Sequence, residues 1–70
     1  MDQTEKNKLM VLLDYWVKHN SEHSEEFKEW AEKVQNLGET AIYNDIIEAV
    51  EQMDKANAPL LRALARLKGE

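Results

Sequence analysis

The chain has 70 residues, no cysteine and a net charge of −5 at pH 7. Its length allows one domain, residues 1–70, with a modest core, and the lack of cysteine excludes disulfides and thiolate metal sites. The acidic balance argues against nucleic acid and against an anionic membrane surface as partners. With a polar start, MDQTEKNK, that predicts no secretory signal, we expect a soluble, cytoplasmic protein.

The first helix is predicted from residues that recur at alternating spacings of four and three, without a slip, over about residues 4–37. Asp2 with Glu5 has the spacing of a capping box at its start, and Gly38 is the expected stop because glycine adopts positive φ readily. We expect the two tryptophans of this row to lie in the core. The row is Leu9, Leu13, Trp16, Asn20, His23, Phe27, Trp30, Val34 and Leu37.

A second helix is predicted over about residues 40–67 by an equally regular row. Pro59 lies inside it, and we expect a kink or a break there because proline lacks the N–H that an interior helical turn needs. The short connection after Gly38 makes the two helices antiparallel neighbours, so the predicted fold is an all-α helical hairpin. The row is Tyr43, Ile46, Val50, Met53, Asn57, Leu60, Leu64 and Leu67.

Folding the chain about residue 40 brings the polar members of the two rows together. His23 is expected opposite Asn57, with Asn20 next to them. Polar residues in an apolar seam need hydrogen-bond partners, and they fix the register of packed helices. We therefore predict a polar layer of Asn20, His23 and Asn57 midway along the hairpin.

Apolar residues beside both rows widen the stripes beyond what two helices can bury. Ala49, Ala56 and Ala63 recur every seven residues and form a smooth track on the second helix. A stripe this broad favours a dimer of hairpins that makes a four-helix bundle. The alternative is a break near Asn20–Ser21, where either residue is a good helix cap, giving a three-helix bundle.

A metal site is a competing interpretation of the central histidines. His19 and His23 are one helical turn apart, Glu26 follows on the same side, and Asp54 is expected to face Glu26. This set could hold a divalent transition metal. No orienting carboxylate or oxyanion hole accompanies the nearby serines, so we expect no enzyme activity and no other cofactor.

The segment from Trp16 to Ala31 has the pattern W-x-x-H-N-x-x-H-x-x-x-F-x-x-W-A. It resembles a short motif of small, uncharacterised helical proteins from prokaryotes. The resemblance implies a recurring small helical domain with the histidines and asparagine as its distinguishing feature, and it supplies no activity.

Two functions remain as hypotheses. The first is a self-associating structural or interaction module, a homodimer whose apolar stripe binds a second copy or a helix of another protein. The second is a bundle that binds a metal or a small ligand through His19, His23 and Glu26.

Overall fold

A computed structural model describes residues 1–69 and contains two long α-helices. Helix α1 spans Gln3–Asn36 and helix α2 spans Thr40–Gly69. They pack antiparallel along their whole length, as a rod whose Cα atoms extend over 53 × 14 × 12 Å. The predicted all-α hairpin is confirmed, with both helices within a few residues of their expected bounds.

Both ends of α1 are closed as the sequence indicates. The side chain of Asp2 accepts a 2.8 Å hydrogen bond from the Glu5 amide, which pairs a donor that the first turn leaves open. At the other end Gly38 has φ of 79°, and the amides of Gly38 and Glu39 donate to Gln35 and Val34. This is the Schellman motif, and it turns the chain within three residues.

Neither helix is interrupted where a break was expected. Helix α1 continues through Asn20–Ser21, and the hydroxyl of Ser21 donates to the Val17 carbonyl one turn back instead of capping a new helix. Helix α2 continues through Pro59, which is exposed, so its ring points away from α1. The three-helix alternative and the break at Pro59 are both wrong.

The face that α1 turns toward α2 differs from the expected one by part of a turn. Ser24 and Ala31 are buried in the seam, at 2% and 1% exposure, whereas Trp16 and Trp30 are 39% and 54% exposed. The prediction that the tryptophans fill the core of the hairpin is therefore wrong. Small side chains allow the two backbones to approach closely, and a tryptophan in the same row would hold them apart.

The apolar core is thin and lies mainly at the open end of the hairpin. Leu13, Leu64 and Leu67 form its centre, and Val50 is buried nearer the turn. Partly buried side chains complete the cluster: Leu9, Met10, Leu60 and Ala63. A core this small leaves a 70-residue chain marginally stable by itself.

Candidate functional site

A polar clamp joins the two helices at mid-length. Asn20 Nδ2 donates to Asn57 Oδ1 at 3.0 Å. Asn57 Nδ2 faces the Val17 carbonyl and the Ser21 hydroxyl, each at 3.3 Å. Asn57 thus uses both ends of its amide on α1, so the clamp fixes how the helices align. Two of the three residues expected in the polar layer, Asn20 and Asn57, therefore contact each other directly.

His23 does not belong to this layer. Its place in the seam is taken by Ser24, whose hydroxyl donates to Asp54 Oδ1 at 3.1 Å. The prediction that His23 lies opposite Asn57 is wrong because the seam of α1 uses the row of Ser24 and Ala31. Sequence reasoning missed Ser24. The available signal was its spacing from Val17 and Ala31, seven residues to each side.

His19 and His23 form a pair on the outside of α1. Their Nε2 atoms lie 2.9 Å apart, with the rings edge to face at a centroid distance of 4.3 Å. Tyr15 stacks on His19 at 5.4 Å, and Phe27 flanks His23 at 6.0 Å. Four rings therefore run along one strip of the helix and hold the two imidazoles against each other.

The four residues expected to bind a metal are only partly brought together. Glu26 Oε2 lies 3.7 Å from His23 Nδ1, beside the histidine pair. Asp54 instead bonds to Ser24, across the seam from this pair. Within residues 1–69, no group of three or more histidine, aspartate or glutamate side chains is arranged to hold a metal ion.

An uncharged face runs along one side of the rod, and we call it the Trp face. Its α1 row recurs every seven residues, and so does its α2 row, so each row keeps to one side of its helix. Contacts place both rows on the side of Phe27, which lies against His23 and lines a surface groove with Ile42 and Ala49. The rows are Leu9, Trp16, His23, Trp30 and Leu37 on α1, and Ile42, Ala49, Ala56 and Ala63 on α2.

Much of the Trp face is open to solvent. Leu37 is 76% exposed and Ile42 is 48% exposed, in addition to the two tryptophans; Ala49 and Ala56 are also exposed. Its edge is charged, and the Lys33 ammonium lies 4.4 Å from the Trp30 ring centroid, a cation–π contact. A contiguous apolar strip with a charged edge is typical of a protein interaction site.

Comparisons with known proteins identify the family without an activity. Neither helix in the described part of the chain is long and apolar enough to cross a membrane. No curated protein matches the sequence, and no solved structure matches it. The model of a family described as a domain of unknown function, DUF8180, matches residues 9–67. The match takes in almost all of both helices, so the chain belongs to the DUF8180 family.

Proposed function

We propose that this chain is a self-association module in which two hairpins pack through their Trp faces into a four-helix bundle. The observation that carries the proposal is the position of the tryptophans. Trp16 and Trp30 belong to a regular seven-residue row, yet the hairpin leaves them open to solvent. A row of this kind is the seam of a helix that packs against a second partner.

Bulky and small side chains alternate across the Trp face. The clamp places Asn20 level with Asn57, so in the antiparallel hairpin Ala49 lies two residues, about 3 Å, from the level of Trp30, and Ala63 lies equally far from the level of Trp16. Each tryptophan pair and each alanine pair is separated by 14 residues, a rise of about 21 Å along a helix. The face is therefore a ridge on α1 beside a flat track on α2.

A second copy fits such a face when the two-fold axis runs along the rod. Helix α1 of one copy then lies over α2 of the other at the same level, so that Trp30 meets the partner's Ala49 and Trp16 meets the partner's Ala63. A two-fold axis across the rod would instead set Trp16 against the partner's Trp30 and leave the alanine tracks apart. Close packing favours the first arrangement.

The area also suits a stable dimer. A side of a rod 53 Å long and 14 Å wide covers on the order of 700 Å², against about 800 Å² per partner in a standard interface. The rows of the face carry no charged side chain, so two acidic chains can bring them together without burying like charges. At the edge, Lys33 comes level with the partner's Asp45.

Sedimentation equilibrium over a range of concentrations tests the proposal. We expect a dimer, and we expect Trp16→Ala and Trp30→Ala each to weaken it by about 2 kcal/mol, roughly thirtyfold in Kd. Tyr15→Ala is the matched control, because Tyr15 is also an exposed aromatic of α1, at 57%, but lies off the face. A folded monomer at high concentration would refute self-association and favour a helix of another protein as the occupant.

Exchanging a large and a small side chain of the Trp face tests the orientation of the two-fold axis. Ala49 is exposed in the hairpin, so Ala49→Trp should abolish the dimer by placing two tryptophans at one point. Trp30→Ala combined with Ala49→Trp should restore it by exchanging the large and the small side chain. Circular dichroism checks that each variant keeps the hairpin. Failure of the combined variant to associate, in a protein that otherwise dimerises, would reject the axis along the rod.

The cytoplasmic location and prokaryotic source expected from the sequence are part of the same proposal. They are supported by the acidic composition and by the motif from Trp16 to Ala31.

A further inference from the structure

We infer that His19 and His23 are a chelating pair for a divalent transition metal with tetragonal coordination, of the Cu²⁺ or Ni²⁺ class. Within a single hairpin the two imidazoles have no structural task that explains them. His19 is exposed, and the His23 side chain is 40% exposed. Their hydrogen bond joins them to each other on one helix. The polar clamp that holds α2 is complete without them.

The distance between the two nitrogens suits one metal ion. Imidazole nitrogens bind transition metals at about 2.0–2.1 Å. Two such ligands at a right angle lie about 2.9 Å apart, whereas at a tetrahedral angle they lie about 3.3 Å apart. The observed distance between the Nε2 atoms is 2.9 Å. Adjacent ligands at a right angle are the square-planar or tetragonal geometry of Cu²⁺ and Ni²⁺.

The surroundings of His23 favour the tautomer in which its Nε2 atom can bind a metal. The Glu26 carboxylate lies 3.7 Å from Nδ1, so a small rotation makes it the acceptor for an Nδ1–H. That tautomer leaves the Nε2 lone pair free, as in the carboxylate–histidine–metal arrangement of known sites. Glu26 therefore acts as a positioning residue. In the metal-free chain the Nε2–H of His19 then donates to Nε2 of His23. When the metal binds, His19 moves that proton to its own Nδ1, so that the Nε2 atoms of both imidazoles offer a lone pair.

The pair supplies two ligands, so the remaining coordination positions are open to water or to an added ligand. The chelate closes within one turn of α1 and needs no second chain, so it does not rest on the proposed dimer. His23 does belong to the Trp face, so binding should be measured in the wild-type chain and in Trp30→Ala, whose dimer we expect to be weaker, at a concentration at which that variant sediments as a monomer.

Isothermal titration with Cu²⁺ and with Ni²⁺, with EDTA-treated protein, tests the inference. We expect one ion per chain, a rise in the melting temperature on binding, and loss of that ion in His19→Gln and in His23→Gln. Glu26→Gln should weaken binding by about tenfold. Glu29→Gln is the matched control, since it removes the same charge from an exposed position of α1 beyond the histidine pair and should change nothing.

Three outcomes would overturn the inference. They are no binding at millimolar metal, unchanged binding after either histidine is replaced, and recovery of binding when His19→Gln and His23→Gln chains are mixed. The last would show that the ion joins two chains. If Trp30→Ala binds the metal as tightly as the wild type, metal binding does not depend on the dimer, and the two proposals are tested separately.

Discussion

Asn20 and Asn57 meet across the middle of the hairpin, where Nδ2 of the first donates to Oδ1 of the second at 3.0 Å. The contact is half-buried, and it lies between the leucine cluster at the open end and the buried Ala31 and Val50 nearer the turn. Apolar contacts on both sides could slide along a rod of two helices. A directional amide pair cannot, so it selects one alignment.

Replacing one asparagine should therefore lower the free energy of unfolding more than replacing both. Asn57→Leu leaves the Asn20 amide without its partner, and we expect the free energy of unfolding to fall by about 1–3 kcal/mol. Asn20→Leu combined with Asn57→Leu should recover most of that loss. Urea denaturation measures both. Equal stability of the single variant and the wild type would show that the clamp contributes nothing.

Ser24 should tolerate a smaller side chain and reject a larger one. Ser24→Ala removes one hydrogen bond to Asp54, which is exposed and can turn to water, so we expect a loss of about 1 kcal/mol or less. Ser24→Leu overfills a seam where Ser24 is 2% exposed, and we expect a loss of about 1–3 kcal/mol. Thermal unfolding followed by circular dichroism measures both variants. A higher melting temperature for Ser24→Leu than for Ser24→Ala would contradict this prediction.

Pro59 is a place where the hairpin can be stabilised. Helix α2 continues through it, although the ring removes one backbone hydrogen bond and crowds the preceding turn, at about 3 kcal/mol in a helix interior. Pro59→Ala restores the donor, and the gain is reduced because alanine frees the unfolded chain. We expect a net gain of about 1–2 kcal/mol in urea denaturation. A loss of stability would mean that Pro59 makes a contact of its own.

Replacing the two glycines by alanine should affect the stability of the hairpin differently. Gly38 has φ of 79°, so Gly38→Ala strains the turn and should cost about 1–2 kcal/mol. Gly69 is the control, because it lies in α2 without positive φ and with open space around its Cα. Gly69→Ala should leave stability unchanged or raise it slightly. Urea denaturation of the two variants measures both effects. A midpoint of Gly38→Ala equal to that of the wild type would contradict the predicted strain.

Local signals in the sequence were enough for the hairpin. The cap at Asp2, the stop at Gly38 and the unbroken spacing in both helices each act within a few residues, so the chain itself reveals them. The row of α2 from Tyr43 to Leu67 lies on its buried side as expected, since it is that helix's more apolar row. The candidate ligands His19, His23 and Glu26 also lie together because they share one helix.

Only the tertiary structure decided which face of α1 turns inward. Leu13, Asn20, Phe27 and Val34 belong to the seam in either case, and the spacing is equally regular with the row of Trp16 and Trp30 or with that of Ser24 and Ala31. Hydrophobicity favours the tryptophans. Close approach of two backbones favours the small residues and lets Ser24 reach Asp54. That choice depends on the shape of the opposite helix, and it leaves the tryptophans on the open side of the rod.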